Sequence, residues 1–425
     1  MVTKTKMIPK NEDNLMINTR IMKITGLYYL LDSRSPKIFG HNVFKCISIV
    51  QMSILSISLV SAIVTIIKFF LGDINSIMQI SMLIPSGVLS IVKLYSTVVN
   101  SDTIWNCIQM TSVDDLSYKY HNRRILKDGQ LKSKSYTLLI MFMWLNLTIF
   151  WGFSPLFITN AFLEIKIKNK ISRFRFNILN FIFPDSDQFF NDNFIIYYCI
   201  EFIVLILWGH GTMNFDILLL STNITFKYQL ITIANSFSTF NITHNDVKND
   251  CTKIVKHQKE SESMFNFKSI IYDQQRVIKN MRNIYRIFRP VVLIQLAFEF
   301  LIIILASCVV MMNYFNNISL MSAKNLRLIT AISTFLFHVY VICYLFDDVN
   351  LQKDSINFAL YSSDWTQSNL QHQTLLLNAM QINNAENLRL QVTTNKIVNF
   401  KMFTQFMRTT YSILSVLEKI CAKEM

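Results

Sequence analysis

Apolar residues along the chain gather into blocks of membrane-crossing length, at Phe44 to Leu71, Ile77 to Val99, Ser135 to Phe162, Phe194 to Leu220, Pro290 to Asn313, Leu328 to Phe346 and Ile397 to Val416. A spanning helix needs about 20 mostly apolar residues in succession, so the pattern predicts seven transmembrane helices. Between the fourth and fifth blocks, residues 223–290 mix Lys and Glu with Ile, Val, Met and Phe at steps of three and four. That spacing predicts helical extensions of both spans into water. From Asp347 to about Gln381 the chain is again amphipathic, without Pro or Gly, and predicts a further helix before the last span. Its Ile356, Ala359, Trp365, Leu370 and Leu376 are too much apolar surface to leave wet, which points to contact with another subunit. The fold class expected is an all-α membrane protein. Its segments are 1–43, a six-helix bundle over 44–346, and a helix pair over 347–425.

The last block has a finer pattern. Gln405, Thr409, Ser412, Val416 and Ile420 follow one another at steps of four, three, four and four, which places them on one helical face. In lipid an unpaired polar group is costly, so a polar stripe turns toward water or another helix. Two readings stay open on this pattern alone: a pore lining that ends in an apolar gate, or small residues that let two helices pack closely.

Composition fixes the class. Of 425 residues 52% are hydrophobic and 16% charged, with a mean hydropathy of +0.33, a balance suited to a polytopic membrane protein. Lys and Arg set the orientation. With the N-terminus in the cytosol, 27 basic residues fall in inside segments against 9 in outside ones, which favours N-terminus in and C-terminus out. A G-protein-coupled receptor has the opposite orientation. The first 43 residues hold no apolar core of signal-peptide type, so the first span is expected to act as its own insertion signal. The net charge of +14 fits this inside bias against anionic lipid, and no nucleic acid is expected as partner.

Enzyme chemistry finds no foothold. The seven cysteines are scattered without CxxC spacing, so neither a metal site nor a disulfide framework is expected. No HExxH or GxSxG is present, and the sole GxG, Gly209-His210-Gly211, lies inside the fourth apolar block. No cofactor is implied. Glu201 and Glu299 stand inside the fourth and fifth spans, where an ionisable group is either functional or paired, with Gln295 or Lys93 as candidate partners. His210 and His338 read as helix-packing or interfacial residues. Asn317-Ile318-Ser319 is a glycosylation sequon in the short loop after the fifth span.

The residues also carry a resemblance. The run Cys343-Tyr344-Leu345-Phe346-Asp347-Asp348, then Ser355, Ala359, Tyr361 and Trp365, then Phe403 and Thr409-Thr410-Tyr411-Ser412, resembles the insect odorant receptor family over the last eighty or so residues. Gly26-Leu27-Tyr28, Gln295 and Ser307-Cys308 are weaker echoes. The chain departs from that pattern at Phe346, where the family usually has Gly before the acidic pair, and at Thr393-Thr394, where it has Gly-Lys. The related gustatory receptors place Gln-Phe after the Thr-Tyr pair, whereas Thr410-Tyr411 here is followed by Leu417-Glu418.

The resemblance implies a tuning subunit of a ligand-gated, nonselective cation channel, joined with a longer co-receptor in a hetero-tetramer in the plasma membrane of sensory neurons. It implies that the last helix lines the pore, with Gln405, Thr409 and Ser412 on the wall and Val416 and Ile420 at the gate. Tyr361 and Trp365 would belong to the cytosolic anchor between subunits. A small volatile ligand would sit among the second, third, fourth and sixth spans, with candidates Met82, Phe150, Trp151, Ser154, Tyr198, Phe202, Leu205, Ile332 and Phe335. A gustatory-type channel for soluble tastants is the alternative, and a secondary transporter a weaker one, since no internal repeat is visible.

Overall fold

A computed structural model of the chain describes residues 14–38, 40–69, 74–158, 162–167, 170–181, 186–240, 253–363, 365–366, 368–385, 389–393 and 396–424. Helices α1 (Thr19–Ile24) and α2 (Leu27–Leu31) precede a strand pair, β1 (Lys37–Ile38) and β2 (His41–Asn42). The bundle follows with α3 (Val43–Phe69), α4 (Ile74–Ser81), α5 (Leu83–Val99), α6 (Ser101–Gln109) and α7 (Arg123–Phe157). After it come the hairpin strands β3 (Phe162–Ile167) and β4 (Lys170–Arg175), then α8 (Asp187–Asp192), α9 (Phe194–Ser238), α10 (Lys253–Phe315) and α11 (Ala323–Tyr361). The last elements are α12 (Leu370–Ala385), β5 (Gln391–Thr393), β6 (Lys396–Ile397) and α13 (Phe400–Glu424).

Among the described residues, six helical segments are long and apolar enough to cross a membrane: Val43–Ile67, Ile77–Val99, Arg123–Phe157, Phe194–Ser238, Ser261–Phe315 and Ala323–Tyr361. The seventh long helix, α13, has 25 residues but is less apolar, since Lys401 and Arg408 lie on it. On α3 the exposed Ile57, Val60 and Ile67 suit lipid. Its hydroxyls are satisfied within the helix: Ser53, Ser56 and Ser61 each donate to the carbonyl four residues back, at 3.1, 2.8 and 3.2 Å. A helix can therefore carry serine into lipid without an orphaned donor.

Three boundaries differ from the sequence expectation, the simplest being the last helix, which starts at Phe400 because Ile397 pairs with Gln391 in β5–β6. The third span stops at Phe157, five residues short of Phe162, which instead pairs with Arg175 in the β3–β4 hairpin. Pro155 is the reason: it brings no N–H to the last turn. The carbonyl it leaves free, that of Trp151, accepts from the Ser154 hydroxyl at 3.0 Å. The helix expected from Asp347 to Gln381 is two helices. The sixth span runs on without a break to Tyr361, the chain turns at Ser362, and α12 starts at Leu370. Trp365 marks the turn, its indole N–H donating to the Tyr361 carbonyl at 3.1 Å.

One end of the bundle carries the β3–β4 hairpin, and the other the extensions of α9 and α10. These helices are 45 and 63 residues long. They stay together beyond the apolar blocks because their facing sides are apolar, with Phe226 against Tyr285 and Phe237 against Phe267 at ring separations of 6.2 and 5.7 Å. The Tyr285 hydroxyl donates to Asn223 Oδ1 at 2.7 Å. Asp273 of α10 accepts from the backbone N–H of Ser117 and Tyr118 at 2.7 and 2.9 Å, which pins the segment before α7 to this extension.

Candidate functional site

Toward the hairpin end, α5, α7, α9, α10 and α11 enclose a cavity of about 80 Å³ for the centres of water-sized molecules. One water needs about 10–15 Å³ on this measure, so the cavity admits a small organic molecule. The wall is almost entirely apolar. Met82, Leu83 and Leu89 come from the second span, Trp144, Leu147 and Trp151 from α7, Leu205 and Trp208 from α9, Ile302 from α10, and Ala331 and Phe335 from α11. Ser86, Thr148, Gly209 and Thr212 add the few polar positions. Such a site holds a ligand by dispersion and shape, with little charge to discriminate.

Of the nine ligand candidates, four stand on this wall: Met82, Trp151, Leu205 and Phe335. The other five do not. Phe150 points outward with 46% of its surface exposed, because it lies off the face that carries Trp144, Leu147, Thr148 and Trp151. Ser154 is spent on the Trp151 carbonyl. Tyr198 and Phe202 stack on each other at 6.0 Å behind the wall, and the Tyr198 hydroxyl donates to the Gly152 carbonyl at 3.1 Å. Gly152 allows that approach, since a Cβ there would meet a Phe202 ring carbon at 2.5 Å. Ile332 packs with Met82, Ala306, Val309 and Leu328.

The cavity is closed on the hairpin side by residues 177–181, whose Leu179 reaches into it. Sequence spacing gave no sign of this segment. It is held by Glu201, fully buried, whose carboxylate accepts from the backbone N–H of Leu179, Asn180 and Phe181 at 2.6, 3.2 and 2.9 Å. Arg327 of α11 holds the same segment from the other side, donating to the Ile178 carbonyl while its guanidinium lies 3.8 Å from the centre of the Trp151 ring.

On the far side of the cavity lies a buried polar cluster. Asp216 of α9 pairs with Lys93 at 2.6 Å and accepts from the Trp144 indole at 3.1 Å. Glu299 lies 2.7 Å from His338 Nδ1 and accepts from Gln295 at 2.9 Å, and His338 Nε2 lies 3.4 Å from Asp216. Glu299 thus pairs with Gln295, whereas Lys93 goes to Asp216. His338 is a partner in the cluster and more than packing. Asp216 falls inside an apolar block, so the rule that singled out Glu201 and Glu299 applies to it equally. Trp144 belongs to both cavity and cluster, with its ring edge-on to Phe335 at 6.1 Å and to His338 at 5.9 Å.

The stripe on α13 faces away from the bundle. Gln405, Thr409, Ser412 and Val416 are all exposed, while Phe403 packs on Tyr340 at 5.6 Å and Phe406 on Phe300 at 4.3 Å. The stripe therefore does not serve helix packing within one chain. The side chain of Ile420 lies outside the described residues. Tyr361 is exposed near the start of the turn to α12, with its ring 6.1 Å from that of half-buried Trp365. His210 is a packing residue, its Nε2 2.9 Å from the Thr25 carbonyl. Asn317 is exposed in the turn after α10, with a φ of 58° that asparagine tolerates.

One constellation looks catalytic and is not. His121 Nδ1 lies 2.6 Å from the Ser236 hydroxyl and Nε2 2.9 Å from Asp273. All three side chains are buried, so no substrate carbonyl reaches the serine. Three elements are tied together there.

The family model described as 7tm Odorant receptor matches residues 73–411. Among solved structures, the insect olfactory receptor OR5 from Machilis hrabei in complex with eugenol superposes with a TM-score of 0.70 at 11% identity, over 95% of this chain and 98% of that one. The structure of OR5 from Machilis hrabei gives 0.67 at 12% identity with the same coverage. No curated protein sequence matches the chain.

Proposed function

Because the chain belongs to the 7tm odorant receptor family, we propose that it is a ligand-tuning subunit: a small volatile molecule occupies the apolar cavity and opens a nonselective cation channel built with the family's co-receptor. The chain is a membrane-embedded receptor and not an enzyme. The observation that carries the ligand reading is the cavity itself, enclosed by five helices with an apolar wall and few polar groups. Eugenol, a compact aromatic of the same character, is bound in one structural neighbour.

The channel reading rests on α13. Its exposed stripe of Gln405, Thr409 and Ser412, continuing to Val416, is an unpartnered wet face that four subunits around an axis would turn toward a pore. Val416, with Ile420 one turn further, would form the apolar constriction that dewets when narrow. The orientation proposed is N-terminus in the cytosol and C-terminus outside, at the plasma membrane of sensory neurons. Tyr361 and Trp365, with α12, would then lie in the cytosolic anchor where subunits meet.

Expression of the chain with and without the co-receptor, followed by current recording against a panel of volatiles, tests this. Current should require both subunits and a volatile. Current without the co-receptor, or none to any volatile with surface expression confirmed, would overturn it.

A further inference from the structure

Beside the main cavity, toward the hairpin end, lies a second chamber of about 10 Å³, room for one water-sized atom. The two share walls at Met82, Leu83 and Trp151. The small chamber differs in chemistry: Gln79, Asn180, Lys324 and Arg327 line it. Arg327 is 6% exposed, and its guanidinium is only partly used. Nη2 donates to the Ile178 carbonyl and the plane stacks on Trp151, but Nη1 is buried with no hydrogen-bond partner among the described residues. A buried donor without an acceptor is costly, and a charged one more so. The Glu201 carboxylate stands across the 177–181 segment, where three backbone N–H groups already take it up. That leaves Nη1 unsatisfied and the site without a second free carboxylate, among the described residues, to meet it.

We propose that Arg327 Nη1 is the hydrogen-bond donor for a ligand acceptor: the receptor is tuned to volatiles with one neutral oxygen acceptor, a ketone, ester or ether, at the end of an apolar body. The apolar body fills the main cavity against Leu205 and Phe335, and the oxygen passes Trp151 into the small chamber. A neutral acceptor is favoured over a carboxylate because the chamber is the size of a single oxygen and the charge of Arg327 is already opposed by Glu201. The proposal rests on the reading of the main cavity as the ligand site. It adds a residue and a chemical class that an apolar wall alone does not supply.

The test uses the full chain in lipid nanodiscs, with acetophenone and ethylbenzene as probes of nearly equal shape, one with a carbonyl and one without. Binding is followed by quenching of tryptophan fluorescence, since Trp144, Trp151 and Trp208 line the cavity. A charge-assisted hydrogen bond predicts that Arg327→Met weakens acetophenone about tenfold and leaves ethylbenzene within about twofold. In the wild type the carbonyl stretch of bound acetophenone should fall below its value in hexane, a readout that stands even if the variant does not fold. An unshifted stretch overturns the proposal, as do unchanged affinities in Arg327→Met or equal losses for both probes, the mark of a purely structural role. If neither probe binds the wild type, the cavity reading fails and this proposal with it; if both bind and only the carbonyl effect is missing, the cavity reading survives alone.

Discussion

Replacing Lys93 by Met should destabilise the receptor by about 3–5 kcal/mol, the usual cost of stranding a buried charge. The pair it breaks, Lys93 with Asp216, is closed at 2.6 Å with side-chain exposures of 0% and 1%. At an effective dielectric constant of about 20, unit charges that close attract by about 6 kcal/mol. Desolvation of two ions, several kcal/mol each, consumes most of that gain. The intact pair is therefore worth little net, and the damage comes from the carboxylate left behind. Asp216 would keep the Trp144 indole and His338, which soften the loss without cancelling a charge. The double variant Lys93→Met with Asp216→Asn should recover at least half of it, because the new amide still offers an oxygen to Trp144 and no charge remains to strand. Unfolding of purified receptor in detergent, run as a double-mutant cycle, measures both quantities. A Lys93→Met variant as stable as wild type would refute the reasoning, and so would a double variant whose loss equals the sum of the single losses.

Three other outcomes are expected. Gly152→Ala should cost about 1–3 kcal/mol in the same unfolding assay, since the new Cβ would sit 2.5 Å from a Phe202 ring carbon and overpacking forces α7 and α9 apart; no measurable loss would mean the helices give way freely. Burial among Phe240 and Phe267 holds His372 of α12 below the usual imidazole range. Its unfolded form takes up protons more readily, so its contribution is present above a pH of about 6.5 and is lost as pH falls through the window below it. Hydrogen exchange over 370–385 should rise on acidification in wild type and stay flat in His372→Phe, and parallel rises in both would remove His372 as the cause. Val416→Ala should raise leak current or alter ion permeation in the co-expressed channel; wild-type conductance would take Val416 out of the gate.

Spans were legible in the sequence because apolar length alone sets them, and six of the seven stand in the structure as helices apolar enough to cross a membrane. Their faces were not. In water a helix hides its apolar side, so periodicity names the core; in lipid the outward face is apolar too, and the signal flattens. Phe150 and Trp151 are neighbours of similar character, yet one meets the surroundings and the other the cavity. Only α13 escaped this, because a polar stripe stands out against an apolar background. Strand β3 does alternate, with Leu163, Ile165 and Ile167 against Glu164 and Lys166, but its first residue was absorbed into the apolar block before it; the plug at Leu179 left no periodic trace, and Arg327 reads in sequence as an ordinary loop-end cation. Asp216 was within reach of the rule for acids inside apolar blocks.

Helix α10 has one mechanical property that its contacts alone do not convey. Its hold near Asp273 and its contact with α13 at Phe300 are 27 residues apart, about 40 Å at 1.5 Å per residue, and Pro290 lies between them with no N–H to give to the helix ladder. The stretch before that proline is held by Tyr285 on Asn223 and Phe288 on Phe215, so the free arm begins at Pro290: about 8° there carries Phe300, ten residues and about 15 Å on, and the ring of Phe406 with it, through about 2 Å. Ile302, the α10 residue on the cavity wall, lies on that same arm. Cavity wall and α13 contact thus share one short length of α10 beyond its proline.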